Sequence, residues 1–179
     1  MVMYHGTYKT ISRVDLKRGN KRVDFGRGFY LSDSFDAAKW WAVKRFPEKG
    51  GVAPTIMCYE VDDAVFTSSE INLMKFGKPS KEWLEFVKLN RRKDLPKSDE
   101  PRHFYDVVYG HIADDLAADT IAEYVEGNVT WDEALSQIKT VPDVRQMSLH
   151  TPLALQYIKV REVWEHSDGE WRSVPLSKQ

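Results

Sequence analysis

The apolar residues of this chain come in short runs of two different periods, and that mixture constrains the fold more than any single motif. Residues 55–61 form a β-favouring run closed by Asp62-Asp63, and 1–4, 105–110 and 147–149 read as further short strands. Helical spacing takes over at 35–45, where Phe35, Ala38, Trp41 and Ala42 share a face. Ser32 to Ser34 offer N-caps for that helix, and Pro47, Gly50 and Gly51 are expected to stop it. A second helix is predicted over 80–90, with Trp83, Leu84, Phe86 and Val87 on its apolar side, and a third over 116–124. A fourth, over 131–139, opens with the capping-box spacing Thr130-x-x-Glu133. Residues 153–158 read as a helix or helical turn, and 167–179 as a polar strand with a frayed end. Charged stretches at 17–22 and 91–102 read as loops. No internal repeat organises these pieces, so the expectation is an α+β fold in a single domain spanning 1–179.

Such a domain needs a core, and 179 residues at 42% hydrophobic content can build one. A chain of this size hides roughly 70% of its unfolded surface without metals or crosslinks. Cys58 is the only cysteine, which excludes an internal disulfide and points to a reducing compartment. Lys and Arg number 26 against 27 Asp and Glu, so overall attraction to nucleic acid or an acidic membrane is not expected. No apolar run approaches the roughly 20 residues of a membrane span. The opening Met1-Val-Met-Tyr-His-Gly-Thr7 is too poor in apolar residues for a signal peptide. Cytosol is the expected location.

Three islands carry the candidate chemistry. The first is Tyr4-His5-Gly6-Thr7, ending the first strand. The second is Phe25-Gly26-Arg27-Gly28-Phe29-Tyr30-Leu31-Ser32, feeding the helix that bears Trp40 and Trp41. The third is Arg145-Gln146-Met147-Ser148-Leu149-His150, on a late strand. Singly, each has an ordinary explanation: a turn, a bulge at the glycines, a core tyrosine.

Together and in this order the islands resemble the ADP-ribosyltransferase superfamily, and the second is especially similar to the poly(ADP-ribose) polymerase branch. Over the whole chain the likeness is to a bacterial domain family of unassigned activity within that superfamily, whose members are suspected toxins of toxin–antitoxin pairs. It extends from His5 to about Val160 and includes Glu82-Trp-Leu-Glu-Phe-Val87, Asn90-Arg91, Tyr105-Asp-Val-Val-Tyr-Gly110 and Ala113-Asp-Asp115. The resemblance implies split antiparallel β-sheets with surrounding helices, NAD lying in the cleft. It also implies transfer of ADP-ribose from NAD to a macromolecular acceptor, as a toxin-type mono-ADP-ribosyltransferase of the glycosyltransferase class. NAD would be a co-substrate, no metal would be needed, and an antitoxin protein would be a partner.

The chemistry explains the residue types. Breaking the nicotinamide–ribose bond passes through an oxocarbenium-like state, so the protein must clamp the carboxamide, flank the ring and orient the ribose. The resemblance gives His5 a hydroxyl of the adenosine ribose and Gly6, beside Thr7, the carboxamide through its backbone. Tyr30 would stack on nicotinamide and Trp41 would cover the other face. Such a sandwich would favour the cationic pyridinium by roughly 1–2 kcal/mol. The branch's helix serine falls on Ala38, for which Ser32 is a substitute. Arg27, beside Gly28, is the choice for the pyrophosphate, with the Asn90-Arg91-Arg92 trio as the other candidate. Gln146 stands where the family usually carries a glutamate. Glutamine keeps the hydrogen bonds but brings no charge and cannot act as a general base. Three readings follow: an acceptor needing no base, a second acid at Asp114 or Asp115, or NAD binding without transfer. The ordinary reading of the acidic pair is stabilisation of the start of the helix at 116–124. An NAD glycohydrolase and a non-catalytic NAD or ADP-ribose module are the rival functions. Transfer of an RNA 2′-phosphate to NAD fits less well, because Tyr30 occupies the stacking position.

Overall fold

The computed structural model describes residues 1–49, 52–92, 101–112, 115–138 and 144–175. Among the described residues, eight strands and four α-helices make an α+β fold, with residues grouped into two compact units. The first unit comprises Met1–Val14, Tyr30–Ile71 and Pro152–Gln179, and the second Asp15–Phe29 and Asn72–Thr151.

In the first unit β1 (Val2–Thr7), β2 (Phe29–Ser32), β3 (Thr55–Val61), β7 (Ile158–Ser167) and β8 (Glu170–Val174) run in the order β2-β1-β3-β7-β8, every pair antiparallel. β1 does not end at His5. It continues through Gly6 and Thr7, which pair with Ile56 and Thr55. Gly6 is what permits this, since a Cβ there would sit 2.1 Å from the Ala38 carbonyl oxygen of helix α1 (Phe35–Lys49). Ser34 caps α1, its hydroxyl accepting from Ala37 N–H at 3.1 Å. The helix also runs two residues past Pro47, contrary to the expected stop. A proline both lacks the N–H for the carbonyl four residues back and crowds that carbonyl, and the helix closes two residues beyond it.

β7, the longest strand among the described residues, starts at the end of the expected helix or helical turn over 153–158 and runs through 159–166, where no element is predicted. Only Ala154–Tyr157 coils, as a 3-10 turn, before the chain extends. A bulge hides the strand from a period-two reading. Cys58 faces Glu162 while Tyr59 faces Val160, so Arg161 is an extra residue and the in–out alternation flips there.

In the second unit β4 (Leu73–Lys75), β5 (Val107–His111) and β6 (Arg145–Leu149) run in the order β4-β5-β6. Here the expectation of purely antiparallel sheets fails, because β4 and β5 are parallel. Helix α2 (Lys81–Arg91) lies between them in sequence and supplies the crossover that a parallel pair requires. Ser80 caps its start through Trp83 N–H at 3.3 Å. The Arg102 guanidinium closes its end, donating to the carbonyls of Leu89, Asn90 and Arg92. Helices α3 (Asp115–Glu126) and α4 (Trp131–Ile138) follow, and α4 carries the expected capping box: Glu133 accepts from Thr130 N–H at 2.7 Å. Among the described residues no helix is long and apolar enough to cross a membrane, and no group of three or more His, Cys, Asp and Glu side chains could hold a metal ion.

Candidate functional site

In the first unit, β1 and β2 bring His5 and Tyr30 together. His5 Nδ1 lies 2.7 Å from the Tyr30 carbonyl. A carbonyl only accepts, so Nδ1 carries the proton and Nε2 is the ring's acceptor. Burial lowers His5 from its usual 6.5 to about 4, against the pull of the Tyr30 carbonyl, and the nearby Arg45 charge lowers it further. The imidazole is therefore neutral and of one tautomer at neutral pH. Tyr30 itself is half-buried. Thr7 and Ser32 are buried, and the Ser32 hydroxyl accepts from Ser34 N–H at 3.1 Å. Ala38 is buried beneath Gly6, its carbonyl turned toward that glycine.

Trp40 and Trp41 meet edge-on, centroids 4.8 Å apart. Trp40 is the exposed one and Trp41 the half-buried one. Lys44 and Arg45 stand over the Trp41 ring at 5.2 and 5.5 Å. Arg45 carries no motif that singles it out in the sequence. Its place one turn after Trp41 puts it over that ring.

In the second unit, the loop from Asp24 to Gly28 carries the glycine island. Gly26 turns it with φ 78°, and Gly26 N–H donates to the Val23 carbonyl at 3.0 Å. Two histidines grip its backbone. His103 Nε2–H donates to the Phe25 carbonyl at 2.7 Å, and His150 Nδ1–H to the Arg27 carbonyl at 2.8 Å. His150 Nε2 in turn accepts from the Ser148 hydroxyl at 2.8 Å. Burial lowers both histidines, His150 to about 4. Gly28 is buried and must stay small, since a Cβ there would lie 2.8 Å from both His150 Nδ1 and the Leu149 carbonyl. Arg27 is half-buried.

Gln146, on β6, is buried against the same loop. Its Nε2 donates to Asp24 Oδ2 at 2.7 Å and to the His111 carbonyl at 3.2 Å. Both partners are pure acceptors, which fixes the amide: nitrogen toward Asp24, Oε1 away. The other oxygen of Asp24 accepts from Arg91 Nε and Nη2 at 2.9 and 2.5 Å. Arg91 thus belongs to an ion pair with a buried carboxylate. Asp24 is the site residue that sequence reasoning misses; standing just before Phe25-Gly26, it gives no signal of its own. Asp114 lies outside the described residues, and Asp115 begins α3.

These features define an α+β protein with a neutral histidine on one strand, a glycine loop held by two further histidines, and a buried Asp–Arg–Gln network. The model of the family described as "Protein of unknown function (DUF3990)" matches residues 1–160, and the chain belongs to that family. No curated protein and no solved structure matches it.

Proposed function

We propose that this protein transfers ADP-ribose from NAD to a macromolecular acceptor, as a toxin-type mono-ADP-ribosyltransferase of the cytosol whose partner is an antitoxin. The observation that carries the reading is the His5–Tyr30 pairing. Uncharged and held in one tautomer by the Tyr30 carbonyl, the imidazole suits a ribose hydroxyl and not a phosphate. Tyr30, tied to it through its own carbonyl, supplies the aromatic face. In the reaction the bond between nicotinamide and ribose C1′ breaks, and its electron pair leaves with neutral nicotinamide. The acceptor's lone pair then bonds to C1′, and its proton is released to solvent. From the resemblance, Gln146 Oε1 would accept from a ribose hydroxyl while positive charge builds on the ring. Arg45, beside His5 and over Trp41, is the nearby cation for the pyrophosphate in this unit.

A second reading is NAD binding without transfer, and the neutral Gln146 amide favours it because an amide cannot take the acceptor's proton. The test is nicotinamide release from NAD by the purified protein and by Tyr30→Ala. Release that Tyr30→Ala abolishes supports catalysis, and free ADP-ribose as the product identifies a glycohydrolase instead. Calorimetric NAD binding that Tyr30→Ala abolishes, with no release by the wild type in the presence of cell extract as acceptor, selects the binding module. A wild type that neither binds nor cleaves NAD sinks both.

A further inference from the structure

We infer that Asp24 is a positioning residue that fixes the Gln146 amide so that its acceptor oxygen, and never its N–H edge, is presented to the ribose; this rests on the NAD reading above.

An amide is two-faced, and which end it offers depends on what holds the other. Here both contacts of Gln146 Nε2 are to oxygen acceptors, Asp24 Oδ2 at 2.7 Å and the His111 carbonyl at 3.2 Å. The first is a carboxylate, so turning the amide over would set Oε1 against a negative charge. The second is fixed by the sheet, because His111 pairs with Arg145 and Gly110 with Gln146. Asp24 is itself immobilised through its other oxygen by the Arg91 guanidinium. Asp24 and Gln146 are 6% and 7% exposed, so water does not compete for these bonds.

The arrangement matters because of what develops in the reaction. As the glycosidic bond lengthens, positive charge spreads over C1′ and the ring oxygen, and the ribose hydroxyls become better donors. An acceptor stabilises that change and an N–H opposes it. A carboxylate drawing on the amide's hydrogens also polarises it, making Oε1 a stronger acceptor than that of a solvated glutamine. The charge missing at position 146 is present one hydrogen bond behind it.

The test compares wild type, Asp24→Asn and the exchange Asp24→Asn/Gln146→Glu, with nicotinamide release from NAD as the assay. The exchange keeps one carboxylate, one amide and the hydrogen bond joining them, with the carboxylate moved to the ribose side. Asp24→Asn is expected to lower kcat about 100-fold while KM for NAD stays within about twofold. The exchange is expected to recover at least about tenfold of that loss. A structural role alone would change thermal stability without this split and without rescue, and that result overturns the inference. An independent readout is the Gln146 side-chain amide resonance: both protons should lie downfield and exchange slowly, and Asp24→Asn should remove this. Ordinary Gln146 amide protons in the wild type overturn the inference even if NAD is cleaved. Protected protons in a protein that binds no NAD leave the amide geometry standing and sink the NAD reading.

Discussion

Gln146→Glu restores the residue usual in the family that the chain resembles, and the structure predicts that it harms the fold at neutral pH. The new carboxylate would occupy a position 2.7 Å from Asp24 Oδ2. Two full charges at that distance repel by about 6 kcal/mol at an effective dielectric near 20. The protein escapes by keeping a proton on the introduced carboxyl, and the escape sets the size of the effect. Holding a carboxyl of ordinary pKa about 4.3 protonated at pH 7 costs about 4 kcal/mol. A protonated carboxyl has one hydrogen where the amide has two, so the bond to the His111 carbonyl is lost as well, for about 1 kcal/mol at any pH. The sign follows from linkage. A folded pKa raised above the unfolded value means that stability is intact below about pH 4.3 and falls by about 1.4 kcal/mol per unit as pH rises. Urea unfolding of variant and wild type at pH 4.5, 5.5 and 7 measures the difference at each pH. A deficit growing from about 1.5 to about 5 kcal/mol is expected. A deficit that stays constant across that range would refute the reasoning.

Other expectations can be checked on the same instrument. Gly6→Ala should destabilise by about 3 kcal/mol or more, because the new methyl meets a helix carbonyl at 2.1 Å and only backbone movement relieves it. Gly26→Ala should cost about 2 kcal/mol, from a left-handed φ of 78° and a contact 2.7 Å from Asn90 Oδ1. Arg91→Ala leaves Asp24 buried without its cation and should cost about 3–5 kcal/mol in urea unfolding, more at neutral than at acid pH. His5 and His150 are each lowered to about 4, so the unfolded chain binds protons that the folded chain refuses. Stability should therefore be complete above about pH 6.5 and fall as pH drops toward 4, with imidazole NMR titrations placing both rings near 4.

How much of this is legible in the sequence follows from where the information sits. The helices carry their own signals: Ser34 caps as one of the Ser32 to Ser34 candidates, and Thr130 with Glu133 forms the box that its spacing announces. β3 is legible because seven consecutive residues favour extension and an Asp pair closes it. β7 is not, because Arg161 breaks the alternation and only the partner strand shows why. β4 is three residues long, below what periodicity can resolve. Within the candidate site, His5, Tyr30 and Gln146 are reached through the family resemblance of their motif islands, and singly each island reads as ordinary structure. The partners are long-range. Asp24 reaches Gln146 across 122 residues and Arg91 across 67, and nothing in the spacing of one chain reports such a meeting.

Gln146 and Arg91 have separate readings in the sequence, one as a lost charge and the other as a spare cation for phosphate. Asp24 joins them and changes both. A carboxylate buried beside position 146 needs a donor facing it, and glutamine supplies two hydrogens where glutamate supplies none. The same carboxylate needs a cation, and Arg91 answers with two nitrogens on one oxygen. A phosphate competing for Arg91 would have to leave Asp24 buried and unpaired, a loss of about 3–5 kcal/mol before any binding is gained. The network is therefore internally satisfied, and a phosphate grip is better sought at Arg45, which is exposed on α1 in the first unit. Replacing Arg45 by Ala should weaken NAD binding in calorimetry while leaving unfolding in urea unchanged, whereas Arg91→Ala should do the reverse in proportion to the folded fraction. Equal losses of NAD affinity from both, in fully folded variants, would return Arg91 to the ligand and break the case for a self-contained Asp24 network.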